Sequence, residues 1–160
     1  MKELRGGQVP PPLPIPTESD LSMAFDNNQR TRIYNRTSGR CHLCHKKLAF
    51  KNYGIHGARG AWEVEHSYPK AKGGTNHMNN LFAACISCNR AKGTSSTAST
   101  RAIHGKKKAP LSTTRRKTVK TENAILGGSL GALLGIPAGI VGIALGALTG
   151  AHIGHRIDPD

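Results

Sequence analysis

The chain has 160 residues, 4% aromatic, with a formal net charge of +14, which leaves room for one compact domain whose core is too small to be secure without a staple. Its four cysteines fall in two Cys-x-x-Cys pairs, an arrangement that favours a metal ion in a reducing compartment over a disulfide framework. Between Asn28 and Lys120 the only acids are Glu63 and Glu65, and so one-sided a field points to a polyanionic partner, of which nucleic acid is the commonest.

Residues 1–18 read as a flexible leader. The prolines from Pro10 to Pro16 remove backbone donors and favour extended polyproline conformation, and the leader lacks the uninterrupted apolar run of a secretory signal, so export by that route is not expected. From Thr17 the pattern turns helical. Thr17, Ser19 and Asp20 are candidate caps, Leu21, Ala24 and Phe25 offer an apolar face, and Gln29 to Arg36 continues with Ile33 and Tyr34 inward until Gly39 stops it. Arg30, Arg32, Arg36 and Arg40 either contact phosphates or solvate the outer face of this helix.

The first knuckle, Cys41-His42-Leu43-Cys44, is answered by Cys85-Ile86-Ser87-Cys88. Two thiolates separated by two residues chelate one tetrahedral ion from a tight turn, and two such turns close a four-cysteine zinc site. With no open coordination position this zinc is structural, and its binding contributes directly to folding. Four cysteines satisfy the ion, so His42 and His45 are read as surface or phosphate-facing residues.

Between the knuckles, Leu48, Phe50, Tyr53 and Ile55 alternate in the manner of a short strand or hairpin, with turns at Gly54, Gly57 and Gly60. Trp62 and Val64 then alternate with Glu63 and Glu65. A strand here buries Trp62 and Val64 on one face, puts both acids on the other, and delivers Glu65 and His66 to its end. Pro69 to Gly74 must be loop, Asn79 to Ala84 enters a return strand, and Cys88 to Lys92 suits the first turns of a helix closed by Gly93. The expected unit is strand, loop, strand, helix, pinned by zinc at one end.

The run Trp62-Glu-Val-Glu-His66, then Pro-Lys-Ala-Lys-Gly-Gly, then Asn80-Leu, then Cys-x-x-Cys-Asn89-x-x-Lys92 resembles the HNH endonuclease family, with its ββα-metal fold and its four-cysteine zinc subtype. The likeness covers roughly residues 32–93. It implies that His66 is the general base that takes a proton from the water attacking phosphorus, and that Glu65 is the acidic ligand of a catalytic ion. Asn80 then orients the His66 ring through a side-chain or backbone contact, and Asn89 joins Glu65 on the ion. These residue types suit the chemistry: imidazole accepts a proton near pH 7, and oxygen ligands suit Mg or Mn bridging a phosphate. Arg90 and Lys92, within a turn of Asn89, are placed to hold phosphate, and Lys70 and Lys72 in the loop are further candidate DNA contacts. His77 is either a second functional histidine or a helix cap.

From Gly93 the chain becomes Ser, Thr, Lys and Arg, and residues 94–121 read as a flexible basic linker. Lys106 to Lys108 and Arg115 to Lys117 suit a duplex backbone or an anionic lipid surface. From Asn123 to Ala151 there is no charged residue, a stretch of 29 residues against the roughly 20 that span a bilayer as helix. Glycines recur every fourth position, at Gly127, Gly131, Gly135 and Gly139 and then at Gly142, Gly146, Gly150 and Gly154, with Pro137 near the change of phase. Such spacing puts each set on one helix face, open to close helix contact. The tail is therefore one kinked span or a hairpin of two glycine-zipper helices, each about 20 Å long and too short to cross alone.

The expected fold class is α+β: a small ββα-metal HNH domain stapled by zinc at residues 19–93, followed by a glycine-rich helix or helical hairpin at 122–157. The expected function is metal-dependent hydrolysis of DNA, in phage defence or as a toxin. A membrane is the expected partner through residues 123–155, with self-association through the glycine ladders. The excess of Lys and Arg before the tail orients such a protein in a bacterial inner membrane with the nuclease domain cytoplasmic, a soluble cytoplasmic protein being the alternative. The rival functions are a non-catalytic zinc module that binds nucleic acid and a membrane-active protein that carries a nuclease domain.

Overall fold

The computed structural model describes residues 25–136 and 139–159. The proline leader, the caps at Thr17, Ser19 and Asp20, the apolar positions Leu21 and Ala24, and Pro137 lie outside them. Helix α1 spans Asn27–Asn35, capped by Asp26, whose carboxylate accepts from the Gln29 backbone at 2.8 Å while the Gln29 side chain returns a bond to the Asp26 backbone. This reciprocal cap fixes the start. Gly39, at φ +65°, lies past the end, where a side chain would collide with the Tyr34 ring.

Strands β1 (Trp62–His66) and β2 (Leu81–Cys85) form one antiparallel pair in the register Trp62 to Cys85 through His66 to Leu81. Two strands alone are marginal in water, and here each face is covered. Trp62 and Val64 face α1, where Trp62 packs against Tyr34, Phe50 and Tyr53 with ring centroids 4.9–6.1 Å apart. The polar tips are satisfied within this cluster: Trp62 Nε1 donates to the Phe50 carbonyl at 3.2 Å and the Tyr34 hydroxyl to that of Leu48 at 2.7 Å, as buried Trp and Tyr require. Glu63 and Glu65 face helix α2 (Ile86–Lys92), which packs over the other side. The alternation along β1 is as expected, but Glu65 ends inside the protein because its face is roofed by a helix.

The segment Leu48 to Ile55 does not form a strand. It makes a short 3-10 turn at Phe50–Asn52, with isolated bridges from Arg40 to Lys47 and from Tyr53 to Trp62, because its aromatic rings are drawn inward around Trp62. Residues 94–121 also differ from the expected linker. Helix α3 (Thr97–Ile103) buries Thr97 and Thr100 against the domain, and Ser112 caps α4 (Thr113–Leu134), so the basic residues from Arg115 are helical.

Helices α4 and α5 (Gly139–Arg156) form an antiparallel hairpin. The ladders face each other: a Cβ built on Gly127, Gly131 or Gly135 would lie 1.9–2.3 Å from the carbonyl oxygen of Gly150, Gly146 or Gly142 respectively. Gly139 stands outside the ladder, opening α5 at φ +70°. The ladders thus meet each other within one chain, so the contact expected between copies is seen here as an intramolecular one. The leucines and isoleucines turn outward instead, with Leu126, Leu134, Ile140 and Leu148 all exposed. Arg40 and Arg116 both pair with Asp158, and Ser38 donates to the Leu111 carbonyl at 2.8 Å, tying the hairpin's base to the end of α1.

The expected inner-membrane location is corrected by this hairpin. Among the described residues no helix is long and apolar enough to cross a membrane. The 22 residues of α4 begin with a charged third, and the 18 of α5 carry five glycines, two histidines and Arg156, so neither sustains the hydropathy of a span.

Candidate functional site

The two knuckles converge. Cys41, Cys44, Cys85 and Cys88 bring their sulfurs within 4.8 Å of one another, with Cys44 and Cys85 Sγ 3.6 Å apart. Sulfurs at about 2.3 Å from a tetrahedral zinc lie about 3.8 Å from each other, so the cluster has the dimensions of a zinc site. The backbone N–H groups of Leu43, Cys44 and Cys85 all point to Cys41 Sγ at 3.3–3.5 Å, the setting of a thiolate. Hydrogen bonds from the other three cysteines hold Cys41 far below the ordinary thiol range, while contacts with Cys41 and burial push Cys85 and Cys88 up. Four sulfurs in one place cannot all be thiolates without a cation among them, and a zinc ion held by these four residues would supply that charge.

His66 closes β1, half-buried, with Nε2 2.9 Å from the Asn76 side-chain oxygen. Since Oδ1 only accepts, Nε2 is the donor in this contact, an arrangement that leaves Nδ1 as the acceptor position of a neutral ring. Among the described residues the Asn80 side chain makes no hydrogen bond to this ring. Its side chain clasps the loop instead, accepting from the Tyr68 N–H at 2.6 Å and donating to the carbonyls of Tyr68 at 3.0 Å and Thr75 at 2.9 Å. The tight approach explains Gly74, where a Cβ would lie 1.9 Å from the Tyr68 oxygen. Asn80 therefore reaches His66 only at one remove, through the loop that presents Asn76. Next to it, His77 Nδ1 accepts from the Asn79 N–H at 3.4 Å, so this histidine caps a turn.

Glu65 and Asn89 are not brought together. Glu65 is 0% exposed, with Oε2 2.8 Å from His42 Nδ1 and Oε1 3.1 Å from Lys92 Nζ and 3.3 Å from the Thr97 hydroxyl. Asn89 instead donates from Nδ2 to Glu63 Oε1 at 2.9 Å. With both Glu65 oxygens engaged by donors and cations, the expected pair does not fit a Mg or Mn ion as it stands. His42 is correspondingly no surface residue. It is 2% exposed and stacks on Phe82 at 3.8 Å, with the Arg36 guanidinium 4.1 Å from the same ring. His45 lies partly buried, bonded to the Lys108 carbonyl at 3.0 Å, and burial lowers its pKa.

The basic candidates separate in the same way. Lys92 is 3% exposed and committed to Glu65, which removes it from any phosphate. Arg36 donates to the carbonyls of Leu81, Asn79 and Met78 and so serves the fold. Arg90 is exposed and bonds His56 Nε2 at 2.7 Å. It borders a cleft beside the second knuckle, lined also by Lys46, Lys47, His56 and Ser87. Lys70 and Lys72 stand exposed on a 3-10 turn of the loop. Asn76, Thr97 and the basic pair Lys46 and Lys47 are not among the site candidates that the sequence marks, and His42 is marked only as a surface or phosphate-facing residue. Only Lys46 and Lys47 carry a local signal, being basic residues beside a knuckle.

Residues 41–95 match the family model described as HNH endonuclease, so this segment is similar to a family whose members are nucleases. No curated protein and no solved structure was found to match the chain.

Proposed function

We propose that the domain hydrolyses phosphodiester bonds of DNA, with His66 Nδ1 taking the proton from the attacking water. The observation that carries this reading is the Asn76 bond to His66 Nε2 at 2.9 Å, which favours the tautomer a base requires, at the end of a strand that lies within the segment matching the family model. The field of Lys and Arg around the domain draws the polyanion in. A Mg or Mn ion, which the family resemblance implies, belongs to this reading, while Glu65 and Asn89 are already committed to Lys92, His42 and Glu63.

The test is cleavage of supercoiled plasmid by the full chain, with Mg and with Mn, beside His66→Ala. The variant is expected to lose about 10²–10⁴-fold in rate and to hold DNA as before, because the base acts in the chemical step. Equal cleavage by both proteins rejects His66 as the base. Binding without cleavage by the wild type favours the rival zinc module that only holds nucleic acid.

The cleft of Lys46, Lys47 and Arg90 is read as a phosphate track. Replacing Lys46 and Lys47 together by glutamine is expected to reduce the slope of log affinity against log salt by about 0.9 for each phosphate no longer neutralised. An unchanged slope in a filter-binding or anisotropy titration would place DNA on another face.

A further inference from the structure

A buried carboxylate is tolerated only when donors surround it, and a buried ammonium only when acceptors do. Glu65 and Lys92 meet these needs in one network. The Lys92 ammonium lies 3.1 Å from Glu65 Oε1 and 3.0 Å from the His66 carbonyl oxygen, so a single buried cation joins helix α2 to the backbone of the proposed base. The other carboxylate oxygen meets His42 Nδ1 at 2.8 Å. His42 is itself wedged, by its stacking on Phe82 and by its backbone N–H on the Ala83 carbonyl at 2.8 Å. Both partners come from elements that the four-cysteine cluster brings together, His42 from within the first knuckle and Lys92 from the helix that carries Cys88. The network therefore runs from the knuckles to the His66 backbone, while Asn76 steers the ring.

We infer that Glu65 and Lys92 are positioning residues for His66, and that Glu65 is not a ligand of the divalent ion. This inference rests on the nuclease reading. A ligand needs lone pairs directed at an open site with few cations nearby, whereas Glu65 has an ammonium on one oxygen, an imidazole nitrogen on the other and no exposure. A phosphate contact needs an exposed cation, and Lys92 is buried.

The experiment compares the full-length wild type with Glu65→Gln, Lys92→Met and Lys92→Arg. Cobalt is substituted at the cysteines, so that the thiolate absorption band reports folding. Glu65→Gln is expected to bind Mn²⁺ within about threefold of the wild type by calorimetry, since a ligand would be worth at least tenfold. Lys92→Met is expected to lose roughly 100-fold in kcat, the cost of misplacing a reacting group by about 1 Å, with KM for DNA nearly unchanged and partial rescue by Lys92→Arg. In nitrogen-15 spectra the His66 ring should be a single Nε2–H tautomer in the wild type and a mixture in Lys92→Met. Loss of Mn²⁺ binding by Glu65→Gln with the cobalt band intact overturns the inference, as does a Lys92→Met protein that raises KM and spares kcat. If Lys92→Met fails to fold, the His66 spectrum of Lys92→Arg and the Mn²⁺ titration of Glu65→Gln decide. A wild type that leaves DNA intact rejects the nuclease reading, and the His66 spectra then judge the positioning by themselves.

Discussion

Stripping the metal from Cys41, Cys44, Cys85 and Cys88, or replacing Cys88 by serine, is expected to unfold the domain. A structural zinc contributes about 10–16 kcal/mol of binding free energy to folding, against a total stability of about 5–15 kcal/mol for an ordinary domain. The core here has little else to draw on. Around a two-stranded sheet it consists of Ile33, Leu43, Leu48, Trp62, Val64, Leu81 and two alanines, together with the cysteines. The cluster also joins parts of the chain that lie far apart in sequence, holding the turn before the long loop against the start of α2. Without a dication the four sulfurs face one another, Cys44 and Cys85 at 3.6 Å, and like-charged thiolates held so close repel one another. Circular dichroism and thermal melting with and without a strong chelator measure the effect, and metal analysis gives the stoichiometry. A Cys88→Ser protein that stays folded and holds no zinc would show that the cluster is packing alone.

What was legible in the sequence follows how local each signal is. The knuckles were readable because each is complete in four residues, and the pairing of Trp62 and Val64 on one face needed only the period of a strand. A return strand after Asn79 and a helix closed by Gly93 were readable from the asparagines and the glycine that bound them, whereas the register of β1 with β2 and the start of the helix at Ile86, two residues before Cys88, were not. Glu65 is different. Its side of the strand was right, but the strand does not say what lies above it, and Lys92, Thr97 and His42 reach it from three separate elements. Asn76 was invisible for a related reason, since its bond to His66 depends on the path of a loop that Asn80 closes. In the tail, a glycine at every fourth position serves a span and a hairpin equally, so spacing alone left both open. The antiparallel facing of Gly127 with Gly150 and of Gly131 with Gly146 is a property of chain reversal, which periodicity does not encode.

That facing makes one substitution act with opposite sign at two neighbouring positions of α4. Gly128→Ala is expected to be neutral or stabilising, and Gly131→Ala strongly destabilising. In an isolated helix either change is favourable by about 1 kcal/mol, since alanine is the better helix former. At Gly128 the new methyl would meet the Ala151 Cβ at 3.4 Å, an ordinary contact, so the helix propensity is kept. At Gly131 it would lie 1.9 Å from the Gly146 carbonyl oxygen, and backbone on both sides leaves no flexible side chain to yield. The helices must then separate by more than an ångström. That forfeits the seam along the whole ladder, together with its close Cα–H to carbonyl contacts, at a cost of about 3 kcal/mol or more by the measure of overpacked interiors. Elastase, which cuts at small apolar residues, reads the hairpin directly. Gly131→Ala should be cut between residues 123 and 151 well before the wild type, and Gly128→Ala no sooner than it. Equal protection of the two variants would mean that the ladders do not face each other in solution.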